Sequence, residues 1–366
     1  MRGQARMNPV ETVLRRADAA QQRHTASAFV FGVIKKFGDD NGGVLVSNLA
    51  YAAFVSIFPL LLILATTLGL LASGNAALRQ QALDAVANQV PMIGHQLTGN
   101  VHDLHRSSLI GLIIGIVWLI WGTARLAQAG IFTMAQVWNL PGPARPGYVP
   151  RLGRSVLFLA VLGLGVIITT LLTGLASFGH HAQAFVWLSD ALAGLTNIGM
   201  YLIGFRVLTP KGVPARKLLP GAILGGIGWT VLQALGTYLV RNSLSTDAVY
   251  GVFATVLGLI AWIYLGVEVS VYAAEVNVVL SRRLWPRGMI QPPLTEADRA
   301  SMALQALQNQ RRPEQHVKVT YDDRPADAGP AATTPETPEE VAPPAPGDAA
   351  RPETAPADGR GQAGQP

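Results

Sequence analysis

Six blocks of roughly 20 residues or more, almost free of charge, alternate along the chain with short polar segments. They run Leu49 to Leu71, Leu109 to Phe132, Val156 to Phe178, Trp187 to Leu208, Leu218 to Val240 and Val249 to Leu280. A helix of about 20 apolar residues matches a hydrocarbon core roughly 30 Å thick, so each block reads as a membrane span. At 1.5 Å per residue the sixth is about 48 Å long, and its last two turns are expected to stand beyond the bilayer. The pattern predicts an all-α fold: a polytopic membrane protein with a six-helix transmembrane bundle, an N-terminal interfacial helix and a disordered C-terminal tail.

The segments between the blocks refine this division. After a polar stretch over 1–24, Phe29, Val33 and Phe37 fall on one helical face, with Lys35 and Lys36 near its end. That spacing predicts either a short helix lying in the membrane interface or a soluble helix preceding the spans. The elbow Asp39-Asp40-Asn41-Gly42-Gly43 then turns the chain. Leu78, Ala82, Val86 and Val90 recur at helical spacing between the first two blocks, suggesting amphipathic helices packed over the bundle. The membrane domain so delimited covers 25–285. Over 286–318, Thr295 with Asp298 forms a capping-box-like helix start. The tail over 319–366 is rich in Pro, Ala, Asp and Glu, a composition that cannot bury a core.

Charge fixes the expected orientation. Only 14% of the 366 residues are charged, against about a quarter in soluble proteins. The net charge of +6 conceals an acidic tail: from Thr320 onward nine acids face three arginines, which leaves residues 1–319 at about +12. Arg2, Arg6, Arg15, Arg16, Arg23, Lys35 and Lys36 precede the first block. Arg145, Arg151 and Arg154 lie between the second and third, Lys211, Arg216 and Lys217 between the fourth and fifth, and Arg282, Arg283 and Arg287 after the sixth. The intervening loops carry Arg79 and Arg106, then none, then Arg241. Basic residues gather on the cytoplasmic side of membrane proteins, so both termini are expected inside. The basic balance then points to anionic lipid headgroups as partners, with no nucleic acid. No cysteine is present, which excludes disulfides, thiolate metal sites and cysteine nucleophiles.

Ionisable residues inside spans are costly, and they mark either structural locks or polar pathways. The candidates are Arg125 in the second block and Glu268 in the sixth, with Glu275 further along. Arg125 and Glu268 lie at similar depth, which suggests that they pair. Glu268, Tyr272 and Glu275 share one face at i, i+4 and i+7. In the first block Ser56 and Pro59 mark a break in helical hydrogen bonding, found at simple kinks and along pathways alike. Gly111 with Gly115 and Gly221 with Gly225 signal close helix packing. His95, His102, His105, His180 and His181 fall in loops expected outside, where they read either as a metal or pH-sensing cluster or, more simply, as solvated loop histidines. No phosphate-binding loop and no Gly-x-Ser-x-Gly elbow occurs, so no enzyme activity, metal or cofactor is expected.

The chain resembles the YihY / virulence factor BrkB (YhjD-like) envelope integrity family, once labelled ribonuclease BN. The first block, LAYAAFVSIFPLLLILATTLGLL, is similar to the family's Ala-Tyr and Ser-x-x-Pro helix, and WGTARLAQAGIFTMAQVWNLP to the end of its second span. VPARKLLPGAILGGIGWTVLQALGTYLV and YGVFATVLGLIAWIYLGVEVSVYAAEVNVVL match most closely. The latter carries the family's Tyr-Gly, Trp-x-Tyr and Ala-Glu-x-Asn positions as Tyr250, Gly251, Trp262, Tyr264, Ala274, Glu275 and Asn277. The resemblance covers roughly residues 30–285; the tail is an addition to its pattern. It implies an inner-membrane location and an envelope role, with transport or translocation of lipid or another amphiphile as the expected activity. The alternative is a non-transporting membrane scaffold for envelope assembly. A ribonuclease reading finds no support, because RNA chemistry calls for clustered metal carboxylates, or a general base beside a basic groove.

Overall fold

Apolar stretches of this length satisfy their backbone hydrogen bonds internally as helices, and in the computed structural model the regular elements among the described residues are all helices. These are residues 9–71, 109–145, 147–177, 183–209, 213–243 and 251–321. The chain divides into two units, Met1–Thr320 and Tyr321–Pro366, and every element named below belongs to the first. Two helices precede the long ones, α1 (Pro9–Arg23) and α2 (Thr25–Asp39). The long helices are α3 (Gly42–Leu71), α4 (Leu109–Val137), α5 (Tyr148–Ser177), α6 (Gln183–Leu208), α7 (Leu219–Ser243) and α8 (Gly251–Arg282), and α9 (Glu296–Gln308) follows. Among the described residues, Ala191–Leu208, Leu219–Tyr238 and Val256–Arg282 are long and apolar enough to cross a membrane.

Helix α3 packs on α4, α4 on α5, α5 on α6, α6 on α7 and α7 on α8, and α8 returns to α3. Contacts of α4 with α6 and α8 cross the series. Each long helix reaches past its apolar block at one end or both; α3 starts at Gly42 where the block begins at Leu49, and α4 continues to Val137 past Phe132. Hydropathy marks only the residues facing an apolar medium, whereas backbone hydrogen bonding continues into polar turns. Pro59 lies within α3, which runs on through it to Leu71. Lacking an N–H, it leaves the Val55 carbonyl without its helical donor.

The buried core concentrates where α2 meets the long helices, around Val46, Val137, Trp138, Val271, Ala274, Val278 and Val279. Phe29, Val33 and Phe37 of α2 turn toward this protein core: Val33 is buried, Phe29 meets Trp285 edge-on with ring centroids 5.5 Å apart, and Phe37 stacks on Tyr272 at 4.2 Å. Val30 and Ile34 stay exposed. The elbow is tight because Asn41 adopts a left-handed backbone (φ 55°), the conformation asparagine tolerates best after glycine. At α9 the capping box is formed, with the Thr295 hydroxyl accepting the Asp298 N–H at 3.1 Å. The amphipathic segment over 78–90, the five loop histidines and the tail beyond Tyr321 lie outside the described residues.

Candidate functional site

The charge cluster nearest to a site is built by the ends of four helices. Lys36 sits on the α2 face pressed against α8 and is completely buried. Its ammonium pairs with Asp40 one turn later, lies 3.5 Å from Glu275 of α8, and donates to the Val137 carbonyl at the end of α4 (3.1 Å). Asn139 closes the cluster: its amide donates to Asp40 at 3.0 Å and to Gln308 of α9 at 3.1 Å. Asn139 is placed there by a left-handed C-cap (φ 47°), with Leu140 N–H returning to the Ala135 carbonyl at 2.9 Å in a Schellman motif. One ammonium thus faces two carboxylates out of water, where ion pairs hold only with close geometry.

A second lock lies beside it. Asp298 accepts from Lys35 (2.9 Å), Arg287 (2.8 Å), the Gly288 N–H (3.1 Å) and the Thr295 hydroxyl (2.8 Å). Burial by itself would raise this carboxyl, but these donors outweigh it and hold Asp298 well below the usual carboxylate range. Arg287, fully buried, also pairs with Asp39 at 2.7 Å. The pair of locks fastens α2, the end of α8 and α9 together.

The residues singled out from the sequence divide between locks and open surface. Ser56 is buried, and its hydroxyl stands 2.7 Å from the Ala52 carbonyl and 2.8 Å from that of Gly122, joining α3 to α4. Asn277 accepts the Gly221 N–H at 2.7 Å, satisfying a donor that the start of α7 leaves free. Gly221 is required there, because a Cβ would run into the Ala273 carbonyl and the Asn277 side chain. Gly225 faces Ala273 and Tyr201, so this glycine pair does mark close packing. The surroundings of Gly111 and Gly115 lie outside the described side chains. Tyr272 is half-buried under Phe37, Glu268 is half-buried one turn earlier, and Tyr264 is exposed. The expected Arg125–Glu268 pair is not formed. Arg125 is exposed, its guanidinium 5.6 Å from the centre of the Trp121 ring, and equal depth on two helices does not make two side chains share a face.

Two spaces bear on function. A cavity of about 290 Å³ takes one wall from each long helix, including Leu49, Met134, Phe158, Tyr201, Trp229 and Val267. Its lining is almost wholly apolar. The polar groups within it are mutually satisfied, Tyr201 with Ser270 at 2.9 Å and Asn197 with Thr230 at 3.0 Å. A separate cleft of about 380 Å³ between α3 and α4 is polar, lined by Asn48, Tyr51, Trp121, Arg125 and Gln128.

Sequence reasoning placed Lys36 near the end of a helix, Asp40 in the elbow, Arg287 among the basic residues after the sixth block and Asp298 in a helix cap, and did not single out Asn139, Asn197 or Ser270. The i, i+4 spacing of Lys36 and Asp40 was a usable signal, since a pair on the buried face of an amphipathic helix needs a partner. Nothing local connects Lys36 with Glu275, 239 positions later.

Comparison with known proteins agrees with the resemblance read from the sequence. The family described as virulence factor BrkB matches residues 33–296. A UPF0761 membrane protein of Alcanivorax borkumensis is 24% identical over 262 residues, 69% of this chain and 60% of that protein. The inner membrane protein YhjD of Escherichia coli K12 is 23% identical over 289 residues, 72% of this chain and 84% of its own length. A Bacillus subtilis protein named as putative ribonuclease-like protein YfkH is 24% identical over 255 residues, 65% of this chain and 89% of its own. No solved structure matches the chain.

Proposed function

The chain belongs to the virulence factor BrkB family of membrane proteins, and from that premise we propose that it is a multi-pass inner-membrane protein that translocates lipid or another amphiphile in support of envelope integrity. The observation that carries the reading is the apolar cavity walled by all six long helices, wide enough for a stretch of acyl chain. Six spans agree with helices of 25 to 32 residues, about 38 to 48 Å long. Both termini are then cytoplasmic, and α2 lies at the inner interface with Val30 and Ile34 toward lipid. Supporting this orientation, Arg282 reaches the Trp138 carbonyl (3.4 Å) and Arg154 the Thr209 carbonyl (3.4 Å), so basic residues collect at helix ends. Nearby, Arg145 lies 5.9 Å from the Phe132 ring, and burial, then the charge of Arg151, lower its pKa. Such an end attracts anionic headgroups.

Single cysteines test the topology in this cysteine-free chain. An impermeant thiol reagent in intact cells is expected to label positions 76 and 243 and to leave 147 and 212 unlabelled; the reverse pattern overturns the orientation.

Translocation is tested by reconstitution with fluorescent lipids in liposomes, and by filling the cavity. Gly204 borders it and has room, since an added Cβ meets only Phe158, at 4.0 Å. Gly204→Leu gains helix propensity of about 0.5 to 1 kcal/mol, so the fold is expected to hold. Lipid exchange is expected to fall about tenfold, equivalent to roughly 1.4 kcal/mol of added barrier. The scaffold reading draws on Ser56, Glu275 and Asn277 being engaged in helix-to-helix contacts, and an unmutated protein that moves no lipid would favour it. We carry no ribonuclease activity over from the name of the Bacillus relative. The buried carboxylates Asp40, Glu275 and Asp298 are engaged with lysine and arginine.

A further inference from the structure

We propose that the cleft around Arg125, between α3 and α4, binds the phosphate group of an anionic phospholipid entering sideways from the bilayer. The inference rests on the membrane placement of α3 and α4 given above and is independent of whether lipid is moved.

Position comes first. Arg125 precedes Val137, the last residue of α4, by twelve positions, roughly 18 Å along the axis. Asn48 and Tyr51 follow Gly42, the first residue of α3, by six and nine positions, roughly 9 and 14 Å. The cleft therefore lies inside the span, within reach of the inner headgroup layer for a long side chain that snorkels.

Chemistry comes second. A guanidinium within a span needs a counter-anion or water. Among the described residues Arg125 has no acidic partner, only the Trp121 ring, and no acid lines the cleft. What lines it instead is a set of donors: five N–H groups from Arg125, the amides of Asn48 and Gln128, and the Tyr51 hydroxyl. The planar guanidinium fork with neighbouring amide and phenol donors is the complement of a phosphodiester, whose non-bridging oxygens accept several hydrogen bonds.

Surroundings decide the source of the phosphate. Tyr51, Val117, Trp118 and Trp121 are all exposed, and Trp118 packs edge-on against Trp121 with ring centroids 5.5 Å apart. These exposed rings and the apolar residue beside them offer a wall for acyl chains. A soluble phosphate would gain nothing from that wall. The charged groups of the Lys36 and Asp298 locks are by contrast paired with one another, whereas the donors of this cleft face open space.

The full chain is reconstituted in phosphatidylcholine liposomes containing a minor fraction of photoactivatable phosphatidylglycerol, and crosslinked peptides are mapped. Labelling is expected within 48–52 and 121–129, and to fall about tenfold in Arg125→Gln while Arg125→Lys retains most of it. In the unmutated protein, added phosphatidylglycerol is expected to compete the label away, and equal amounts of phosphatidylcholine or soluble inorganic phosphate are not. Labelling unchanged in Arg125→Gln, or competed equally by phosphatidylcholine, overturns the proposal, and the competition decides the matter if the variant does not accumulate. A cleft that labels as expected in a protein that moves no lipid sinks translocation and leaves the site standing.

Discussion

Lys36→Ala is expected to destabilise the protein by about 3 to 5 kcal/mol, the usual cost of stranding a buried charge. Lys36 is the counter-charge to both Asp40 and Glu275, and none of the three is open to water. Glu275→Gln alone leaves Lys36 with Asp40 and removes a carboxylate held only by the 3.5 Å contact, so it is expected to cost much less. The combined change Lys36→Met with Glu275→Gln is expected to be milder than the sum of its parts. Lys36→Met on its own completes the double-mutant cycle, which reads the coupling as loss of monodisperse protein on heating in detergent. Additive effects would show that the two side chains do not interact.

The second large effect is expected at Asp298. Asp298→Ala removes the acceptor shared by Lys35, Arg287, Gly288 and Thr295 and leaves Arg287, 1% exposed, with Asp39 as its remaining partner. A loss of about 3 to 5 kcal/mol is expected, concentrated in the attachment of α9. Hydrogen exchange over 284–310 is expected to speed up far more than over 262–279, and equal changes in both would argue against a local lock. The sign with pH follows from the depressed carboxyl. Its contribution is complete above the unfolded aspartate pKa of about 3.9 and fades as pH falls through the lower folded value. The attachment of α9 is therefore expected to be indifferent to pH from about 5 to 8 and to loosen only in acid.

These locks also explain how the polar candidates of the sequence came to look functional. Ser56, Glu275 and Asn277 were visible because a polar residue in an apolar block is costly and must be used. The sequence could not say for what. Each proves to hold one helix to another: Ser56 α3 to α4, Glu275 α8 to α2, Asn277 α8 to α7. Arg125 shows the converse. Depth along a helix follows from residue counting, but azimuth follows from packing, and the two together decide whether charges meet. Glu268 and Arg125 agree in the first and make no pair.

The sequence by itself determined the helical class, the long apolar helices to within a turn or two at most ends, the capped start of α9 and the family. These depend on local quantities: hydropathy summed over about 20 residues, capping chemistry within four residues, and motif order along the chain. Only the tertiary structure decided that Phe29, Val33 and Phe37 face protein, that Lys36 serves Asp40 and Glu275 at once, and that Arg287 and Asp298 bind the C-terminal segment to α2. It alone revealed a cavity walled by six helices and a separate donor-lined cleft at Arg125. The reason is that ion pairs and cavities depend on which helix faces meet, and the free energy selecting those faces is spread over contacts between residues as far apart as Lys35 and Asp298, 263 positions along the chain.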